Sequence, residues 1–145
     1  MTDFVFLDSG TGGLPYLLRL KELEPSAECV YIGDTANFPY GTKNHNEIVS
    51  LVISLCKKIV EKFQPRSIVV ACNTMSVNAL EALRIVFPNI QIVGTVPAIK
   101  LAASVSKKRR IGLLATVSTV KSEYTLSLKE RYAKDCTLIL RDDTE

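Results

Sequence analysis

Residues 67–76 read SIVVACNTMS. Ile68, Val69 and Val70 are β-branched, so both sides of the pleat are apolar, as in a strand covered on both faces. Strands of that kind belong to parallel sheets sandwiched between helices. The run then passes abruptly into a thiol, an amide and a hydroxyl at Cys72, Asn73 and Thr74.

Outward from this strand, the same alternation recurs. FVFL (4–7), CVYIG (29–33), IQIVG (90–94), RIGLLAT (110–116) and TLILRD (137–142) read as further strands. Between them, 15–23, 44–63, 77–87, 98–105 and 122–134 carry apolar residues at helical spacing. Pro15 suits a first helical turn, and Asn44 with Glu47 has the spacing of a capping box. The alternation predicts an α/β fold, a parallel sheet with helices on both faces. Ligands bind such sheets at the carboxyl ends of the strands.

Composition narrows the classes. The chain has 145 residues, 47% apolar and 23% charged, enough for a core and too apolar for disorder. No run of about 18 apolar residues exists, so no membrane helix is expected. The start, MTDFVFLDSG, carries Asp3 and Asp8 and no basic segment, so it is not a secretory signal, and a cytoplasmic location is expected. The net charge is +3, and the one basic block, KKRR at 107–110, has no interleaved aromatics. It reads as a solvated turn, and no nucleic-acid partner is expected. Cys29, Cys56, Cys72 and Cys136 form no C-x-x-C pair and His45 is the only histidine, so no metal site is expected. Cys29, Cys56 and Cys136 sit in apolar surroundings and read as small core residues.

The strand ends are where chemistry gathers. DSGTGG (8–13), GDTANFPYGT (33–42), CNTMS (72–76), TVPAIK (95–100) and TVSTVKS (116–122) are rich in hydroxyls, amides and glycine. DSGTGG offers backbone N–H groups at a helix start, where a small carboxylate or a phosphate is welcome. It is neither a Walker A loop nor a G-x-G-x-x-G turn. Cys72, at a strand end entering a helix, is expected to feel the helix's positive end, lowering its pKa from about 8.5. Asn73 and Thr74 can hold a carboxylate or amino group beside it, and Asp8 can take a proton or fix an ammonium. Two chemistries fit: nucleophilic attack, which wants a histidine base that His45 is poorly placed to be, and proton abstraction from carbon.

FLDSGTGGL, GDTANFPYG, ACNTMS, VGTVPAIK and IGLLATVSTVKSEY occur in this order. Together they resemble the glutamate racemases of the cofactor-independent aspartate/glutamate racemase superfamily, over essentially the whole chain. The resemblance implies interconversion of L- and D-glutamate, supply of D-glutamate for peptidoglycan, and no pyridoxal phosphate, metal or other cofactor. It implies that Cys72 removes or returns the Cα proton, with Asp8 close enough to influence it. Asp8, Ser9, Tyr40, Gly41, Asn73 and Thr74 would bind substrate, with Thr116 and Thr119 as further donors. It also implies two α/β lobes: 1–96 as a first lobe lacking its returning segment, and 97–145 as the beginning of a second, similar lobe.

The family's second cysteine lies in a Gly-Cys-Thr-His motif that these residues do not contain; Cys136, in KDCTLIL, has neither the glycine nor the histidine. The expectation is therefore a racemase truncated in its second half, with an incomplete lobe that could pair as a homodimer. Its alternative is an inactive remnant that binds an acidic amino acid or a protein. A flavodoxin-like nucleotide binder, resting on DSGTGG, is the third reading.

Overall fold

The structure, a computed structural model, describes residues 2–143. The elements are β1 (Phe4–Asp8), α1 (Leu14–Leu23), β2 (Cys29–Gly33), a 3-10 turn (Thr35–Asn37), α2 (His45–Phe63), β3 (Ser67–Val70), α3 (Asn73–Val86) and β4 (Gln91–Gly94). They continue with α4 (Ile99–Val105), β5 (Arg110–Thr116), α5 (Val117–Lys121), α6 (Glu123–Tyr132) and β6 (Thr137–Asp143). The α/β alternation is as the sequence predicts.

The strands form two parallel sheets, one ordered β2-β1-β3-β4 and the other β5-β6. The chain steps from β1 to β2, then crosses back over β1 to β3 and on to β4. Right-handed crossovers therefore place α1 on one face and α2 and α3 on the other. The direction of winding reverses between β1 and β3, and the crevice at their carboxyl ends is where such sheets hold ligands. Those ends are Asp8 and Val70, directly followed by Ser9 and by Ala71 and Cys72.

The main core lies under α2 and α3. Ile48, Val52, Cys56 and Ile59, at helical spacing on α2, pack with Val5, Leu7, Ile68 and Val70 of the strands and Met75, Ala79, Leu80 and Leu83 of α3. Asn44 caps α2 by accepting from the Glu47 N–H at 2.9 Å. The capping box is half-formed, because the Glu47 carboxylate pairs with Lys43 at 3.4 Å. On the other face α1 buries no residue, and Leu14, Leu18 and Leu23 stay exposed. A second, smaller core joins Ile99 and Ala103 of α4, Ile111 of β5, Leu128 of α6, Ala133 and Cys136. The opposite side of β5-β6 leaves Leu114 and Ile139 in solvent. Among the described residues, no helix is long and apolar enough to cross a membrane.

Two elements differ from the sequence reading. Helix α3 begins at Asn73 rather than 77, because Cys72 is extended and acts as its N-cap, so the polar CNTMS stretch forms the cap and first turn. Residues 117–121, read as a loop, form α5, since the Thr116 side chain accepts from the Thr119 N–H and starts a helix.

Cys56 lies wholly inside the main core, and burial pushes its thiol from 9.0 up to about 12. The folded value lies above the unfolded one, so this contribution to stability is full below pH 9.0 and is lost as pH rises towards about 12. Urea unfolding followed from about pH 8 to about pH 11 should show falling stability, with a shallower fall in Cys56→Ala. An identical slope in the variant would rule out Cys56 as a source.

Candidate active site

Parallel pairing brings the ends of β1 and β3 side by side, with Leu7 opposite Val70 and the Ala71 N–H donating to the Leu7 carbonyl at 2.7 Å. Continuing this register sets Asp8 and Ser9 beside Ala71 and Cys72. The Ser9 hydroxyl lies 3.5 Å from the Cys72 sulfur. Asp8 is 4% exposed, and its carboxylate is almost fully used. Oδ1 accepts from the Ser9 N–H at 2.8 Å, and Oδ2 accepts from the Gly13 N–H at 2.8 Å and the Tyr31 hydroxyl at 3.0 Å. The anion that the DSGTGG loop was read as welcoming is thus, at Gly13, the chain's own Asp8. A Cβ on Gly13 would stand 2.5 Å from the Ala71 Cβ, so only glycine lets α1 come this close to the end of β3.

A cavity of about 450 Å³ opens over these strand ends. Asp8, Ser9, Cys72, Asn73, Thr74, Thr116 and Thr119 all line it, and among the described residues Asp8 is its one charged lining residue. Tyr16, Phe38, Pro97 and Leu114 give it an apolar rim, which the sequence reading missed because single exposed apolar residues carry no signal of their own. Thr74, Thr116 and Thr119 form a hydroxyl cluster: Thr74 Oγ1 is 2.9 Å from Thr116 Oγ1 and 3.4 Å from Thr119 Oγ1, and Thr116 donates to Thr119 at 3.1 Å. These contacts tie α3 to the β5-α5 turn.

Burial pushes the Cys72 thiol up, and the negative Asp8 adds to this; the Met75 N–H and the Ser9 hydroxyl and N–H pull the other way. This corrects the expectation of a lowered thiol. Desolvation outweighs the helix end, and among the described residues no cation lines the cavity to offset it.

Tyr40 and Gly41 lie outside the cavity lining. Tyr40 is fully buried and donates to Asp34 at 2.6 Å. The Gly41 carbonyl accepts from the Ser118 N–H at 3.0 Å, fastening the loop before α2 to α5. His45 also stands apart, donating through Nδ1 to the Asn78 Oδ1 at 3.1 Å beside a second cavity. Asn78 in turn donates to the Thr74 carbonyl at 2.8 Å and the Ser118 hydroxyl at 2.9 Å. Its signal in the sequence was an amide four residues after Thr74 inside an apolar helical run. Cys136 is a core residue just before β6, whose first residue, Thr137, pairs with Arg110 of β5. Thr116 lies at the other end of that seven-residue strand, roughly 20 Å away.

A parallel α/β sheet with a thiol, a carboxylate and a hydroxyl cluster at its switch point defines a class of small-molecule site rather than a macromolecular surface. No family model matches the chain. Glutamate racemase of Treponema pallidum is 43% identical over 141 residues, 97% of this chain and 52% of the relative. That of Pasteurella multocida is 46% identical over 134 residues, 92% of this chain and 49% of the relative. Among solved structures, Escherichia coli glutamate racemase in complex with L-glutamate and the activator UDP-MurNAc-Ala superimposes with a TM-score of 0.88 at 38% identity, over 99% of this chain and 54% of that one. Francisella tularensis glutamate racemase in complex with D-glutamate gives 0.81 at 25%, over 96% and 52%. Over nearly its whole length the chain is similar to glutamate racemases. It spans about half the length of the curated relatives it matches.

The Asp8 hydrogen bonds separate structure from chemistry. Asp8→Asn keeps the shape but turns an amide N–H₂ towards groups that are themselves donors. Urea unfolding should show a loss of about 2 kcal/mol. An unchanged midpoint would mean the carboxylate holds nothing together.

Proposed function

We propose that this chain carries one half of a glutamate racemase site, with Cys72 as the base that removes the Cα proton of one enantiomer. The observation that carries this reading is a buried thiol at the β1-β3 switch point, facing a cavity whose polar lining is hydroxyls, an amide and one carboxylate.

The chemistry follows from what each group can do. A Cα–H beside a carboxylate is a weak carbon acid, and its deprotonation moves an electron pair onto the carboxylate oxygens. Fixed donors at those oxygens stabilise the charge as it develops. Asn73, Thr74 and Thr119 supply such donors, with Thr116 donating to Thr119 behind them and the N-terminus of α3 aiding. Asp8 retains one unused acceptor direction, which suits an ammonium. Ser9 links the thiol and that carboxylate, its hydroxyl 3.5 Å from the Cys72 sulfur and its N–H donating to Asp8. Tyr40 and Gly41 act from behind, holding the wall through Asp34 and Ser118. A raised thiol pKa means less thiolate at neutral pH, but each thiolate is a stronger base. No cofactor is needed for this step, and the role we assign is D-glutamate supply for peptidoglycan in the cytoplasm.

Racemisation also needs an acid on the opposite face of Cα, because a single base returns the proton to the side it came from. None of Cys29, Cys56 and Cys136 lines the cavity. We assign 1–96 to one lobe and 97–145 to the beginning of a second, and the opposite acid to protein beyond these residues. That one-thiol cavity also favours a second reading, a remnant that binds an acidic amino acid without turning it over.

Proton NMR of D- and L-glutamate in D2O with the purified chain separates the two. One-base chemistry predicts loss of the Cα proton signal of one enantiomer with optical rotation retained, and none of it in Cys72→Ala. No exchange with either enantiomer would leave only the binding reading.

A further inference from the structure

We infer that Ser9 is a positioning residue for Cys72: its hydroxyl donates to the sulfur, orients it into the cavity and holds the thiolate once the proton has left. The inference rests on the racemase reading for its purpose but not for its test.

The geometry is specific. Ser9 Oγ stands 3.5 Å from Cys72 Sγ, within sulfur hydrogen-bond range, and both residues are buried. Ser9 is itself held, because its N–H donates to Asp8 Oδ1 at 2.8 Å and Asp8 is anchored by Gly13 and Tyr31. A hydroxyl so placed has little freedom to lose when it binds an anion. It has one proton to donate and two lone pairs, so it can serve the sulfur and still accept from a substrate ammonium.

The surroundings explain why this donor matters. The titratable groups facing Cys72 are Asp8 from β1, Tyr31 from β2 and Tyr40 from the loop before α2. Asp8 repels a thiolate, and Tyr31 and Tyr40 direct their hydroxyls to Asp8 and Asp34 rather than to the sulfur. Across the cavity, β5 and α5 contribute Thr116 and Thr119, which are uncharged and bonded to Thr74. The donors left to the sulfur are Ser9 and the Met75 N–H at the start of α3. Of these, only the Ser9 hydroxyl is a side chain that a substitution can remove. When Cys72 ionises its proton leaves to solvent, and when the thiolate acts as base it takes the Cα proton and becomes a thiol again; in both steps the Ser9 proton stays on its own oxygen.

The test is the pH profile of Cys72 alkylation by iodoacetamide, in which the thiolate displaces iodide. Mass spectrometry of the Cys72 peptide keeps Cys29, Cys56 and Cys136 out of the reading. Ser9→Ala should raise the midpoint by about one pH unit. Ser9→Thr, which keeps the hydroxyl, should restore most of the wild-type profile, and thermal melts should show all three proteins folded. An unchanged or lowered midpoint in Ser9→Ala overturns the assignment, as does a Ser9→Thr profile displaced as far as that of Ser9→Ala. The racemase reading fails separately: a Ser9-dependent midpoint without any Cα exchange supports the positioning role and removes the enzyme, whereas Cα exchange with a Ser9-independent midpoint does the reverse.

Discussion

At the end of β1 the Asp8 carboxylate accepts hydrogen bonds from Ser9, Gly13 and Tyr31, and with them it joins three pieces of the molecule. Gly13 opens α1, Tyr31 comes from β2, and Ser9 carries the chain towards Cys72. Burying a carboxylate is costly unless its oxygens are satisfied, and here three of its lone-pair directions are taken. The same bonds that meet this requirement hold the turn after β1 in place. Gly13 is needed because no Cβ fits between α1 and Ala71, so the glycine and the carboxylate act as a unit.

The position of this unit gives it chemical weight. It lies where the winding of the four-stranded sheet reverses, so two adjacent strands send their following loops in opposite directions and leave a crevice. Cys72 enters that crevice as the N-cap of α3, with its sulfur within reach of Ser9. Burial and the neighbouring Asp8 both disfavour the thiolate. The thiol therefore gives up its proton less readily than a free one, against the pull of the Ser9 hydroxyl and the Met75 N–H.

The smaller sheet completes the wall of the cavity. Its β5-α5 turn meets α3 through the Thr74, Thr116 and Thr119 hydroxyls, and Asn78, Ser118 and Gly41 fasten the same junction from behind. One face of β5-β6 and the outer side of α1 remain apolar and uncovered. These surfaces accompany a chain that spans about half the length of its relatives.

Much of this was legible in the residues. Continuous apolar strands alternating with amphipathic helices specify a parallel α/β sheet, because local periodicity and β-branching act over a few neighbours. The motifs at the strand ends marked Asp8, Ser9, Cys72, Asn73, Thr74, Thr116 and Thr119, and all seven line one cavity. What local pattern could not supply was decided by packing. The helix end at Cys72 suggested a lowered thiol, but burial reverses the shift, and burial depends on what distant segments cover it. Tyr40 sat in a motif like the others, yet its ring is enclosed by the core and its hydroxyl is drawn to Asp34. Gly13 looked like an anion-binding donor, and only the folded turn shows that Asp8 has taken it. Sequence determined which elements form, because that is a matter of short-range preference; tertiary structure decided solvation and partner choice, because those depend on which remote atoms exclude water.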